Sequence, residues 1–180
     1  MEKTERGYFQ PEQAREVARA FSRHGVEYLF IGKGAAILLG YPAGTQDVDI
    51  FPRKNRENGE RILLALADLG FTVPKKLIGH ILNGSDFVQV SDGPFDLDLV
   101  FAPDGIESFD AAYERRIIVD QFPVANPIDI IASKKAAGRP KDLVDLSLLE
   151  EFGEEFQRSR RTAPKSALEI VLDKTRTDAE

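Results

Sequence analysis

Apolar and polar residues follow one another along the chain in patterns that predict alternating helices and strands. Helical spacing of apolar residues over 11–25 predicts a first helix that begins at a proline and stops at a glycine. The apolar run "VEYLFIG" (26–32) predicts a buried strand, and "GAAILLG" (34–40) predicts a short helix entered from a glycine turn. "DVDIF" (47–51) predicts the next strand, and residues 55–69 a helix with one apolar face.

The middle of the chain reads as β-structure. "FTVP" (71–74) predicts the start of a strand, and two strand-like runs flank the turn sequence "SDGP", which predicts an antiparallel hairpin of 86–90 with 95–101. The second arm alternates, so Asp96 and Asp98 face one way while the leucines between and after them face the other.

The last third predicts mainly helices. Residues 106–115 predict a helix, "RIIV" (116–119) a strand, 126–138 a helix and 139–153 another helix. Together the elements predict an α/β fold with a mixed, partly antiparallel central sheet flanked by helices. We expect one domain over 1–152 and a charged tail over 153–180, in which "SALEIVLDK" predicts a short amphipathic helix.

Composition narrows the class of protein. The chain has 180 residues, 42% hydrophobic and 30% charged, which suits a globular domain with its own core. The absence of cysteine excludes thiol nucleophiles, thiolate zinc sites and disulfides, and it fits a reducing compartment. No leader sequence and no membrane-length apolar run is evident, so we expect a cytoplasmic protein without a membrane partner.

Charge is unevenly distributed. A net charge of −6 argues against broad, nonspecific attraction to nucleic acid, yet basic residues cluster at 53–56, 134–141 and 158–161. The last cluster, "RSRR", is typical of a solvated helix face and is also suited to steering an RNA acceptor. Local binding of a polyanion therefore stays open.

Three segments carry residues suited to phosphate chemistry. Gly32-Lys33-Gly34 follows a strand and opens a helix, a setting in which backbone N–H groups face an anion. Asp47 and Asp49 in "TQDVDIF" share one face of a strand, and a third aspartate from a later strand would complete an oxygen site for Mg²⁺ or Mn²⁺. Neither a complete G-x-G-x-x-G motif nor a P-loop is present.

In these segments the sequence resembles the DNA polymerase β-like nucleotidyltransferases. "IGKGAAILLGYPAGTQDVDIF" is similar to the family's glycine turn and Asp-x-Asp motif, and "LDLVF" is similar to the strand that carries its third aspartate. "IIASKKAAGRPKDLVDLSLL" resembles a stretch of the bacterial abortive-infection toxins of the AbiEii kind. The resemblance extends over about 26–149.

The resemblance implies Mg²⁺-dependent transfer of a nucleoside monophosphate from an NTP, such as ATP, to an acceptor hydroxyl. It implies that Asp47 and Asp49 bind metal and that Asp98 is the third carboxylate and the general base. It further implies that Lys134 contacts the triphosphate, with Gly32, Lys33, Gly34 and Thr45 also on the nucleotide side. The acceptor would be tRNA, a protein or a small molecule, and the protein would act as a toxin with an antitoxin partner or in phage defence.

Two alternatives stay open. Asp96 shares a face with Asp98 and competes with it for the role of third carboxylate. Lys33 stands between the two glycines, and Ala43 stands where the family often has an arginine, so a non-catalytic protein that keeps the fold and binds a nucleotide or a partner is the second hypothesis.

Overall fold

The computed structural model describes residues 10–162. Within them, six strands form one sheet in the order β3-β4-β2-β1-β6-β5. The strands are β1 (Tyr28–Ile31), β2 (Asp47–Pro52), β3 (Phe87–Val90), β4 (Asp96–Val100), β5 (Ile117–Val119) and β6 (Phe122–Val124). β2 pairs with β4 and β1 pairs with β6 in parallel, while β1–β2, β3–β4 and β5–β6 are antiparallel. The predicted α/β fold with a mixed, partly antiparallel sheet is confirmed.

Helices flank this sheet and begin and end where local chemistry favours it. They are α1 (Pro11–Arg23), α2 (Gly32–Leu38), α3 (Arg56–Asp68), α4 (Lys75–Asn83), α5 (Phe109–Glu114), α6 (Pro127–Ala137), α7 (Pro140–Val144) and α8 (Leu146–Thr162). The side chains of Asn55, Ser108 and Asn126 accept hydrogen bonds from the first-turn N–H groups of α3, α5 and α6. Gly138, with a φ of 59°, ends α6 in the left-handed conformation that glycine adopts without strain.

The core joins the sheet to α1, α3 and α6. Leu29, Ile50, Leu97 and Leu99 are fully buried in β1, β2 and β4, because these positions of the strands point into the protein. Aromatic rings extend the core toward β6: Phe30 packs edge-on against Phe122, with ring centroids 5.3 Å apart. The predicted hairpin is confirmed, since β3 and β4 pair antiparallel.

Between residues 71 and 124 the structure differs from the prediction in two places. "FTVP" does not start a strand; Pro74 precedes α4 instead, because proline is favoured at a helix start and the following "LIGHIL" packs Ile81 into the core. The second difference is the omission of β6, a three-residue strand entered through Asp120 and Gln121, which both have positive φ.

The end of the chain is only partly described. Residues 139–153 were expected to be one helix, but Asp145 separates α7 from α8, and α8 continues to Thr162. The division expected between 152 and 153 falls inside α8. The amphipathic stretch "SALEIVLDK" lies outside the described residues. Among residues 10–162, no helix combines the length and the apolar character that crossing a membrane would require.

Candidate active site

Four aspartates lie on one face of two neighbouring strands. β2 and β4 run parallel in a register that places Asp47 opposite Asp96 and Asp49 opposite Asp98. Because alternate residues of a strand share a face, the four carboxylates project to the same side of the sheet. The register therefore brings the two strand motifs of the sequence, "DVDIF" and "DLDLV", into one site.

The carboxylates of this site repel one another. Asp98 is buried with 8% exposure, and burial and the nearby charge of Asp47 raise its pKa, although a hydrogen bond from Gln89 Nε2 to Oδ1 (3.0 Å) opposes the rise. Asp49 is surrounded by protein on most sides but keeps some access to solvent. Burial, followed by the charges of Asp98 and Asp47, raises the pKa of Asp49 to about 7.

Gly32 brings the backbone of the glycine turn against Asp49. β1 ends at Ile31, which is paired with Asp49, and Gly32 then turns the chain into α2 with a φ of +70°. A Cβ atom on Gly32 would lie 2.3 Å from Oδ2 of Asp49. Glycine is thus required both for the left-handed backbone and for the close approach to the carboxylate. Gly34 is buried inside α2.

Lys33 and Lys134 already have carboxylate partners. Lys33 forms an ion pair with Asp145, directly before α8. Nζ of Lys134 lies 3.3 Å from Oδ1 of Asp142, and the other oxygen of Asp142 accepts a hydrogen bond of 2.5 Å from Arg139 Nε. The charge of Lys134 still reaches the strands, because it lowers the pKa of Asp49.

Lys141 is the cation that sequence reasoning left without a nucleotide role. Its charge lowers the pKa of both Asp49 and Asp98, and within residues 10–162 it pairs with no carboxylate. In the sequence, Lys141 is distinguished only as the last residue of the basic cluster 134–141. The structure separates the two lysines: Asp142 pairs with Lys134, whereas Lys141 is exposed.

The remaining site candidates lie near the aspartates in the fold. Thr45 is half-buried in the connection between α2 and β2, immediately before the Asp-x-Asp motif. Asp96 lies opposite Asp47, whereas Asp98 lies opposite Asp49 and is the more deeply buried of the two.

The donor set fits a hard divalent cation. Oxygen ligands from carboxylates are those that Mg²⁺ and Mn²⁺ prefer, and the repulsion among Asp47, Asp49 and Asp98 is relieved by positive charge. In the described part of the chain, no group of three or more acidic or histidine side chains already has the arrangement of a metal site. The match between these aspartates and a divalent cation therefore depends on their charge, on their oxygen ligands and on the register of β2 and β4.

Comparisons with known proteins identify the fold. No family model and no curated protein matches the sequence. Among solved structures, the lincomycin-bound lincosamide antibiotic adenylyltransferase LnuA is similar over 81% of this chain and 99% of its own, with a TM-score of 0.55 and 12% identity. The chain has a nucleotidyltransferase fold.

Two further structures match at lower similarity. JHP933 from Helicobacter pylori aligns with 81% of this chain and 66% of its own, with a TM-score of 0.49 and 16% identity. TM1012 from Thermotoga maritima aligns with 83% of this chain and 96% of its own, with a TM-score of 0.42 and 13% identity.

Proposed function

We propose that this protein transfers a nucleoside monophosphate from an NTP to an acceptor hydroxyl in a Mg²⁺-dependent reaction. The observation that carries the proposal is the parallel register of β2 and β4, which sets Asp47, Asp49 and Asp98 on one face without a bound lysine or arginine among residues 10–162. A fold shared with an adenylyltransferase supports the same reaction class.

Each aspartate has a role in this proposal. Asp47 and Asp49, with Asp98, would hold the divalent cation, which would neutralise phosphate charge and make the acceptor hydroxyl more acidic. Asp98 accepts the hydroxyl proton as the general base of the proposed reaction. The acceptor oxygen bonds to the α-phosphorus, the bond to the β-phosphate bridging oxygen breaks, and pyrophosphate leaves.

The nucleotide lies between the glycine turn and the lysines. Gly32 lets the backbone of the turn lie against the carboxylate of Asp49, and the proposal assigns Lys33, Gly34 and Thr45 to the nucleotide as well. Lys134 and Lys141 supply positive charge to the triphosphate; Lys141 is the better placed for direct contact because Lys134 is bound to Asp142.

The biological setting extends the proposal. A cytoplasmic enzyme of the AbiEii kind would act as a toxin or in phage defence, restrained by an antitoxin, and ATP is the first donor to test because LnuA is an adenylyltransferase. Expression of the wild type should then arrest bacterial growth, and Asp49→Ala should relieve the arrest. Equal toxicity of the variant would contradict the toxin assignment.

The decisive experiment is calorimetric titration of each of the four NTPs, with Mg²⁺, into the wild type and into Asp47→Asn/Asp49→Asn. We expect metal-dependent binding by the wild type, weakened by more than about 100-fold in the variant because two metal ligands lose their charge. Asp104→Asn, on an exposed turn, is the matched control and should bind as the wild type does. Equal binding by all three proteins, or none up to millimolar NTP, would contradict the proposal.

A further inference from the structure

A second charged feature lies away from the aspartates. A groove with a volume of about 350 Å³ opens between the end of α5, the start of β5 and the last turns of α8. We call it the arginine groove; its lining includes Glu114, Arg115, Arg116, Phe156, Arg160 and Arg161.

The arginines of the groove fall into two groups. Arg115 is held by Glu107 (2.6 Å) and by buried Asp129 (2.7 Å), so its charge is compensated inside the protein. The guanidinium of Arg116 lies 3.9 Å from the ring centroid of Tyr113, and within residues 10–162 neither it nor Arg160 or Arg161 pairs with a carboxylate. Among residues 10–162, three cations without a carboxylate partner therefore line the groove, and Glu114 is the one acidic residue of its described lining.

An aromatic ring accompanies these cations. Phe156 is half-buried on α8, and the guanidinium of Arg160 lies 5.9 Å from its ring centroid. Aromatic rings beside arginines are the usual elements of single-strand nucleic-acid binding, because bases stack on the ring while the cations follow the phosphates. An acidic peptide would use the cations but would have no need of the ring.

The sheet aligns the groove with the aspartates. Successive strand pairs join Ile117 to Val124, Val124 to Phe30 and Phe30 to Ile50, so one row of residues crosses from β5 to β2. β5 and β2 run in the same direction, and Arg116 and Asp49 each precede a member of this row. Arg116 and Asp49 thus lie toward the same end of their strands, and three strand spacings, or about 14 Å, separate the two strands.

We propose that the arginine groove binds the phosphate backbone of a single-stranded polynucleotide whose terminal hydroxyl is the acceptor at Asp98. This inference rests on the proposed function and names its acceptor class. The overall charge of −6 fits such a groove, because attraction to nucleic acid is then confined to one place on the surface.

The test uses a 5′-fluorescein RNA of about 12 nucleotides and fluorescence anisotropy between about 50 and 200 mM salt. We expect Arg160→Gln/Arg161→Gln to weaken RNA binding about tenfold and to lower the salt slope by roughly two. The control Arg56→Gln/Arg158→Gln removes the same charge outside the groove, one residue on α3 and one on α8, and should change affinity by less than about twofold.

Three results would overturn the inference: no RNA binding by the wild type, equal weakening in the groove and control variants, or competition by a polyglutamate peptide as strong as by unlabelled RNA. Titration with Mg²⁺ and NTP separates this inference from the proposed function. NTP binding with no RNA binding contradicts the groove alone, whereas RNA binding through the groove without NTP binding contradicts nucleotidyl transfer and leaves an RNA site.

Discussion

Asp142, buried in α7, and the aspartates on the strands β2 and β4 have opposite electrostatic surroundings. Asp142 is 4% exposed and Asp98 is 8% exposed, so both lose most of their hydration. Burial by itself would raise the pKa of Asp142, but the hydrogen bond from Arg139 and the charge of Lys134 lower it below its ordinary value. For Asp98, burial and the charge of Asp47 outweigh the hydrogen bond from Gln89 and the charge of Lys141, and its pKa is raised.

The difference separates structural charge from functional charge. A buried carboxylate that pairs with lysine or arginine side chains of its own chain has its charge neutralised, and the ion pairs connect the helices. Buried carboxylates that lie close together and have no cation of their own lower the stability of the protein. Such groups are typical of functional sites, where a bound cation neutralises their charge. In the proposed function the strand pair is the site, and α7, in which Asp142 is bound to Lys134, is its support.

The largest expected effect is a loss of stability when the ion pairs of Asp142 in α7 are removed. Asp142→Asn removes the partner of both Lys134 and Arg139, and it should lower the free energy of unfolding by about 3 kcal/mol, measured by urea denaturation at neutral pH. Asp104→Asn, on the surface, should change it by less than about 0.5 kcal/mol. Equal stability of the two variants would remove the contrast between the regions.

Gly32→Ala tests the close approach in the strand site. The new Cβ would displace the carboxylate of Asp49, and Mg²⁺-dependent NTP affinity should fall on the order of 100-fold. Gly40→Ala is a matched control, because Gly40 also has a positive φ, +104°, but has no atom within 4 Å of the added Cβ. Both variants should lose about 1 kcal/mol of stability from backbone strain, and only Gly32→Ala should lose binding.

In metal-free protein, Asp49→Asn should raise the free energy of unfolding, whereas Asp142→Asn should lower it. The pKa of Asp49 is raised from 3.8 to about 7 in the folded protein. Below pH 3.8 Asp49 is protonated in the folded and the unfolded state and does not lower the free energy of unfolding. As pH rises toward about 8, the unfavourable ionisation of Asp49 in the folded state lowers that free energy. In EDTA, the free energy of unfolding of the wild type should therefore fall between about pH 4 and pH 8. The Asp49→Asn variant should show a fall that is smaller by on the order of 2 kcal/mol. Parallel pH profiles for the two proteins would show that Asp49 carries no unfavourable charge.

Lys141→Gln is expected to have the smallest effect. Because Lys141 is exposed and its charge acts on the aspartates without a carboxylate partner, stability should change by less than about 0.5 kcal/mol. NTP affinity should fall about tenfold if the ammonium contacts the triphosphate. Lys76→Gln, which removes the same charge from exposed α4, should leave affinity unchanged; an equal loss in both would reduce the role of Lys141 to general attraction.

Strong local patterns made much of the fold predictable. Proline at the start of α1 and Asn126 before α6 mark helix starts through chemistry contained within a few residues. The turn sequence "SDGP" between alternating runs likewise predicted the β3–β4 hairpin. "FTVP" misled because its strand-like composition is outweighed by the packing of the following helix, which a local pattern does not contain.

The sequence by itself determined which carboxylates share a strand face and that a glycine turn precedes them, because both follow from the periodicity of a strand and from the adjacency of residues. It did not determine that β2 and β4 are parallel neighbours, that Asp142 takes the charge of Lys134, or that Arg116 meets Arg160 across a groove. Those facts join residues far apart in the chain. Only the tertiary structure decided them, because the free energy of such contacts depends on the packing of the whole core.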